Sequence, residues 1–277
     1  MSVAYYNGSF MPIDEVKIPL TDRAVFFGDG IYEALLSRRG VPHHLSRHLE
    51  RFYNNVKLLG IPFDMTREEM EKLILEAISL SGEKIAFVYF QLTKYADMRI
   101  HACPKTERYN LLMTVTPQKP PERNERLKLV TYPDLRYRYC NIKTLNLIPS
   151  VIASEYAERH GANEAVLCRG ETVTECAHSN ISIIKNGILY THPKCELILP
   201  GIAREALLDE AKRLGIPRRE EAFSREALWS ADAALVTSST KICMLADSVD
   251  GKSYALFSPE ALLLCENLHK NFLETED

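Results

Sequence analysis

The sequence predicts an α+β fold of two domains, and three observations predict it. Strand and helix patterns are interspersed without a regular βαβ beat. Hairpin signals recur, at Asn7-Gly8 and again at Asn186-Gly187. A run rich in proline and charge, between Pro117 and Arg126, separates two halves of different pattern. This run places a boundary near residue 120, with 1–120 a smaller N-terminal α/β domain and 121–277 a larger C-terminal domain. No internal repeat or low-complexity tract interrupts either half.

In chain order, Val3 to Tyr6 reads as a strand entering the Asn7-Gly8 turn. Phe26 to Gly30 breaks the pattern, and Ile31 to Ser37 is apolar up to the turn Arg39-Gly40. Leu45, Leu49, Phe52, Tyr53, Val56 and Leu59 form a helical stripe. Thr66 and Glu69 have capping-box spacing and start a second helix on Met70, Leu73, Ile74, Ala77 and Ile78, ended by Gly82. Ile85 to Thr93, Tyr109 to Thr116 and Leu127 to Thr131 are strand-like. A helix follows from Pro149 to His160, closed by Gly161. Ala165 to Cys168 and Thr172 to Cys176 flank Arg169-Gly170, and Ile181 to Lys185 and Ile188 to Tyr190 flank Asn186-Gly187. Ile202 to Leu214 is a helix, Ala233 to Thr237 a strand, Asp250-Gly251 a turn, and Pro259 to Leu273 a closing helix.

Composition narrows the function classes. Lys plus Arg number 34 against 37 Asp plus Glu, a formal charge of −3, which gives no long-range pull toward nucleic acid or an anionic membrane. Any anion site is therefore local. The seven cysteines are scattered and never spaced C-x-x-C, a pattern of reduced thiols rather than a disulfide or zinc framework. The first twenty residues lack a basic patch followed by an apolar core, and no apolar run approaches a membrane helix, so a cytoplasmic protein is expected.

No Walker loop and no G-x-S-x-G elbow is present, and Gly28-Asp29-Gly30 lacks the third glycine of a dinucleotide fingerprint. His44 and His48 are spaced i, i+4, but no acidic third ligand lies nearby in sequence; a polar helix start is the expectation, with no metal site. Lys143 lies in an apolar and aromatic stretch, Tyr137 to Ile148, where desolvation lowers an amine's pKa and frees it as a nucleophile. The same context fits a lysine snorkelling from a strand end. Glu175, within Thr172 to Asn180, suits a cationic ring nitrogen or an ordinary strand-to-loop cluster. Leu199 to Arg204 opens a helix whose N–H groups favour an anion, Thr237 to Thr240 offers hydroxyls, and Arg51 offers charge. A reactive lysine, a carboxylate for a pyridinium and a phosphate cup together suit pyridoxal phosphate.

The ordered motifs carry a resemblance. They are Asp22-Arg23, Phe27 to Glu33, His48 to Arg51, Ile142 to Asn146, Thr174-Glu175, Ser179-Asn180, Gly187 to Pro193, Gly201 to Arg204 and Thr237-Ser238. From about Tyr5 to Leu273 the chain resembles the class IV, fold-type IV pyridoxal-phosphate enzymes, and among them the D-amino-acid aminotransferases. The resemblance implies a homodimer of two-domain subunits, with the cofactor between the domains. It implies that Lys143 carries the cofactor and moves the α-proton as base and acid. Glu175 would hold the ring nitrogen protonated, and Leu199 would pack on the ring. Arg51, the backbone of Ile202 and Ala203, and Ser239 and Thr240 would hold the phosphate. Tyr32, Arg99 and His101 would choose the substrate, Arg99-Ile100-His101 trapping a carboxylate from the partner subunit. On a strand these two side chains would share a face.

The implied activity is ping-pong transfer of an amino group between a D-amino acid and a 2-oxo acid. Branched-chain L-amino-acid transamination and 4-amino-4-deoxychorismate lysis are sister activities of the same fold, and a non-catalytic pyridoxal-phosphate binder is the reading from another class. Ile148, where branched-chain members carry Tyr, points to the D-amino-acid branch, as does the R-x-H element. Departures from the pattern are Ala203 for a Thr, His178 for a small residue, Lys94-Tyr95 for Arg-Gly, and Lys241 to Leu245.

Overall fold

The computed structural model describes residues 2–95, 99–103, 107–119, 124–254 and 258–274. The boundary expected near residue 120 lies outside the described residues. The chain divides into two units. The first takes the described residues of Met1–Pro120 together with Ile142–Asn146, and the second those of Pro121–Asn141 and Leu147–Glu274. Lys143, expected in the C-terminal domain, thus belongs with the first unit. The reason is backbone pairing: Tyr32 N–H donates to the Lys143 carbonyl (2.9 Å), Leu145 N–H donates to Gly30 (3.1 Å), and Thr144 bridges Ile31.

The first unit contains β1 (Val3–Tyr6), β2 (Ser9–Met11), α1 (Arg23–Phe27), β3 (Gly30–Arg38), β4 (Val41–Pro42), α2 (Leu45–Leu59), α3 (Arg67–Ser81), β5 (Ile85–Lys94) and β6 (Tyr109–Pro117). Its sheet runs β2-β1-β6-β5-β3-β4 and is antiparallel throughout. Asn7 (φ 43°) and Gly8 (φ 101°) turn β1 into β2, as the dipeptide predicts. Strand periodicity sends Val88, Phe90 and Leu92 of β5 to one face, where Leu49, Phe52 and Val56 of α2 and Met70, Ile74 and Ala77 of α3 bury against them. Each large side chain buried this way stabilises the unit by roughly 2 kcal/mol. The capping box at the start of α3 forms as spaced, with Thr66 and Glu69 each accepting from the other's backbone N–H. Helix α1 is not evident in the sequence pattern, because five residues cannot show a helical period. It is specified by its ends: Asp22 accepts from Ala24 N–H (2.7 Å), and Gly28 closes it at φ 61°.

The second unit contains β7 (Arg126–Pro133), α4 (Ile148–Arg159), β8 (Glu164–Arg169), β9 (Thr172–Cys176), β10 (Asn180–Lys185), β11 (Ile188–Thr191), α5 (Ile202–Arg213), β12 (Arg218–Glu220), β13 (Phe223–Ser224), α6 (Arg225–Trp229), β14 (Ala233–Thr237), β15 (Met244–Val249), β16 (Lys252–Ser253) and α7 (Pro259–Leu273). The sheet order is β12-β11-β10-β14-β15-β7-β8-β9-β13, with β16 on β15. Strand β7 runs parallel to both β15 and β8, and β11 parallel to β12; the other pairs are antiparallel. One antiparallel sheet and one mixed sheet, with helices interspersed among hairpins, make the α+β class that the pattern predicts. In β8, Val166 and Cys168 enter one apolar cluster, and Ala165 and Leu167 enter another with Ala153 and Ala157 of α4. Strand β15 and the short elements β12, β13, α6 and β16 are not evident from periodicity.

One register places two of the second unit's loops together. Asn180 of β10 pairs with Thr237 of β14. The turn preceding Asn180 and the Ser238–Lys241 loop therefore lie at the same end of the sheet.

Candidate active site

In the first unit, Lys143 is half-buried, with Nζ 4.2 Å from the centroid of the Tyr32 ring. Tyr32 stacks on Tyr89 at 5.6 Å. The next residue of β3, Glu33, is fully buried and carries the unit's central charge. Arg51 donates Nε–H to Oε1 and Nη2–H to Oε2, both at 2.8 Å. His48 Nδ1 lies 2.7 Å from Oε2, and since a carboxylate only accepts, Nδ1 carries the proton. Burial alone raises the Glu33 carboxyl, but the Arg51 charge and these hydrogen bonds outweigh it and hold the group at about 2. Burial pushes His48 down, against Glu33, and the nearby Arg51 and Lys143 charges push the same way, so the ring is neutral. Of the i, i+4 histidines, His48 bonds Glu33 through Nδ1, and His44, at φ 54°, is the N-cap of α2.

This pairing has a pH consequence. The folded-state value of Glu33 lies below the ordinary 4.5, so its contribution is complete above pH 4.5 and is lost as pH falls toward 2. The loss is roughly 3 kcal/mol. Urea unfolding followed at pH 5 and pH 3 is expected to show a lower midpoint at pH 3, and in Glu33→Gln the difference shrinks. Equal midpoints for the parent protein would remove the pair as an acid-sensitive element.

Arg99 and His101 gather around Phe27. The Arg99 guanidinium lies 5.3 Å from the Phe27 centroid, and the His101 ring 5.2 Å. The shared strand face expected for them is not found: the segment carries no strand, and its side chains are exposed. Its backbone is instead held from below by Arg23.

In the second unit, Glu175 is buried at the end of β9. Arg136 Nη1–H donates to Oε1, Asn180 Nδ2–H to Oε2 (2.8 Å), and Leu199 N–H to both oxygens at 3.1 Å. Burial pushes this carboxyl up to about 7, against the pull of Arg136 and Leu199 N–H. Arg136 is itself oriented by Asp134 (2.9 and 3.0 Å) and by the Leu197 carbonyl (3.0 Å). Sequence reasoning passed over Arg136, Asp134 and the bracing role of Asn180. The only local signal is an Asp-x-Arg spacing at a strand end, which is too common to single out.

The anion site that the sequence suggests falls at the start of α5. Gly201 is its N-cap and no side chain caps the helix, so the N–H groups of its first turn, at Ile202 and Ala203, are not taken by a capping side chain. A Cβ on Gly201 would stand 2.0 Å from Asn180 Oδ1, so glycine is required for space rather than for torsion. In the neighbouring loop, Ser238 Oγ lies 3.3 Å from Thr240 Oγ1 and accepts from Lys241 N–H (3.1 Å), an arrangement that includes Ser239 between them. Two departures from the family pattern, His178 and Lys241, meet over buried Glu164: Nδ1 lies 3.3 Å and Nζ 3.2 Å from its carboxylate.

These residues fit pyridoxal phosphate. A buried carboxylate held by three donor groups suits a pyridinium nitrogen, and a helix start without a side-chain cap suits a phosphate. Within each unit, the structure groups Lys143 with Tyr32, and Glu175 with Leu199.

Comparison with known proteins agrees. The family model for amino-transferase class IV matches residues 30–249. A "D-alanine aminotransferase" of Staphylococcus epidermidis is 34% identical over 256 residues, 91% of each chain. One of Listeria monocytogenes is 32% identical over 274 residues, 97% of this chain and 94% of its own. Among solved structures, a branched-chain aminotransferase of the archaeon Thermoproteus uzoniensis superposes with a TM-score of 0.91 at 22% identity, covering 99% of this chain and 96% of that one, which establishes the fold alone. The family model, which spans most of the chain, and relatives at 34% and 32% identity show that the chain belongs to the class IV aminotransferases, a family of pyridoxal-phosphate enzymes.

Proposed function

We propose that this aminotransferase moves an amino group between a D-amino acid, D-alanine foremost, and a 2-oxo acid such as 2-oxoglutarate, in two half-reactions. The observation that carries the reading is its likeness to D-alanine aminotransferases over nine-tenths of the chain, at 34% identity. When bound, pyridoxal phosphate withdraws electrons from the substrate Cα. Lys143 Nζ anchors the cofactor and takes and returns the proton at that carbon. Glu175 would hold the ring nitrogen protonated, the pyridinium charge favouring its carboxylate form, with Arg136, Asn180 and Leu199 N–H keeping it in place. The N–H groups of Ile202 and Ala203, with Ser239, Thr240 and Arg51, bind the phosphate. With Ala203 in place of a hydroxyl residue, the backbone donor remains. Leu199 packs on the ring, and Tyr32, Arg99 and His101 bind the substrate, the last two through its carboxylate.

A homodimer and a cytoplasmic site of action belong to the same proposal. The second unit exposes Ile148, Val151 and Ile152 on one face of α4, with Leu135, Tyr137 and Tyr139 also bare, which supports a covered surface in the working enzyme. All seven cysteines are unpaired, in accord with a reducing compartment. Light scattering during gel filtration is expected to give a dimer mass; an active monomer would refute that part. Among the described residues no helix is long and apolar enough to cross a membrane.

The test is a visible spectrum of the cofactor-loaded protein on adding D-alanine, L-alanine or L-leucine. Conversion to the pyridoxamine form by D-alanine alone is the expected result. Conversion by L-leucine would assign branched-chain activity, and a band that no amino acid shifts would point to the lyase or to a non-catalytic binder. Separately, Arg99→Ala is expected to raise KM for the amino donor about tenfold or more while the cofactor stays bound. Unchanged kinetics would take Arg99 out of substrate binding.

A further inference from the structure

We propose that Arg23 is the positioning residue for the Arg99-Ile100-His101 segment, and that through it α1 sets how tightly the enzyme holds the substrate carboxylate. The proposal rests on the reading of Arg99 and His101 as carboxylate-binding residues. The segment has no ladder hydrogen bonds of its own, yet its backbone is held at two successive carbonyls. Arg23 Nη1–H donates to Ile100 O at 2.6 Å, and Nη2–H to His101 O at 3.0 Å. The third nitrogen, Nε, donates to Asp29 Oδ2 at 2.7 Å. Arg23 is only 4% exposed, so this fork is shielded from competing water. Phe27, one turn on, faces the same guanidinium at 4.7 Å and meets both Arg99 and His101.

The support for Arg23 is continuous back to the sheet. Asp22 caps α1 through Ala24 N–H and also accepts from Thr93 Oγ1 (2.7 Å) and Asn110 Nδ2 (2.6 Å), on β5 and β6. Asp29 is further held by Lys94 Nζ at 3.5 Å. A rigid sheet thus fixes α1, α1 fixes Arg23, and Arg23 fixes the two backbone carbonyls that aim the exposed side chains. Only a guanidinium presents donors in a planar fork that reaches two carbonyls and a carboxylate at once; an ammonium is a point donor on a flexible stem. The Asp29 charge balances Arg23, so the role is geometric and does not depend on a net field.

The experiment uses the full-length, cofactor-loaded enzyme and whichever amino donor the parent converts. Arg23→Lys and Asp29→Asn are compared with Arg99→Ala and with the double variant Arg23→Lys/Arg99→Ala. Arg23→Lys is expected to raise KM for donor and 2-oxo acid about tenfold or more, with kcat changed less than about threefold. Asp29→Asn should move KM in the same direction, and it decides the matter if Arg23→Lys does not fold. The double variant should fall short of the sum of the two single effects, because Arg23 acts in part through Arg99 and in part through His101. Trypsin should cut the Arg99–Ile100 bond faster in either loosened variant. If Arg99→Ala leaves KM unchanged, the carboxylate reading beneath the proposal fails. If Arg99→Ala raises KM while Arg23→Lys and Asp29→Asn do not, the positioning role is overturned. The same holds if kcat falls alone or the double variant is additive, which are the signs of a merely structural residue.

Discussion

Lys143→Ala is expected to lower transamination by at least roughly a thousandfold and to abolish the absorbance of the anchored cofactor, with stability little changed. The side chain is half-buried against Tyr32, and the local fold depends on its backbone: the carbonyl accepts from Tyr32 N–H at 2.9 Å. Alanine keeps that bond and removes only the amine. Single-turnover spectra with D-alanine and a thermal melt, taken on the same sample, separate loss of chemistry from loss of fold. Retained turnover with an intact melt would sink the assignment of Lys143.

Gly201→Ala is expected to cost about 2 kcal/mol of stability and to weaken pyridoxal-phosphate binding strongly. Its added carbon would stand 2.0 Å from Asn180 Oδ1, so Asn180 must move. That amide is buried, and its Nδ2 donates to Glu175 (2.8 Å) and to the Leu199 carbonyl (2.9 Å). Displacing it disturbs the braced carboxylate and the start of α5 together. Titrating the apo-protein with pyridoxal phosphate reads the affinity, and urea unfolding reads the stability. A variant with parental affinity would mean that the Asn180 side chain rotates away freely and that the brace is not needed.

Much of the fold is legible in the sequence because its signals are local. Asn7-Gly8 and Asn186-Gly187 place two hairpins, since their residues tolerate the left-handed torsions that the turns need. Thr66 and Glu69 place the start of α3, and the stripe from Leu45 to Leu59 places α2. Helix α1, strands β12 and β13, and helix α6 span two to five residues each and are too short for a period to show. The parallel pairing of β7 with β15 and β8 joins segments far apart in sequence, which no local pattern encodes.

The same division holds for the site. Lys143, Glu175 and the Gly201–Arg204 helix start stand out through the order of their motifs, although the setting of each alone fits an ordinary structural residue. Arg136, 39 residues before Glu175, becomes its partner only when β9 and the segment after β7 converge. Glu33 collects Arg51 and His48 from across 18 and 15 residues into a buried charge network. Arg23 reaches Ile100 and His101 across 77 and 78 residues. The sequence by itself determined the class of fold and the family, because these follow from residue type, short-range spacing and the order of the motifs. Tertiary structure alone decided which charges face each other, which glycine has no room for a side chain, and which residue holds the Arg99 segment, because those depend on distances that close only when remote segments pack.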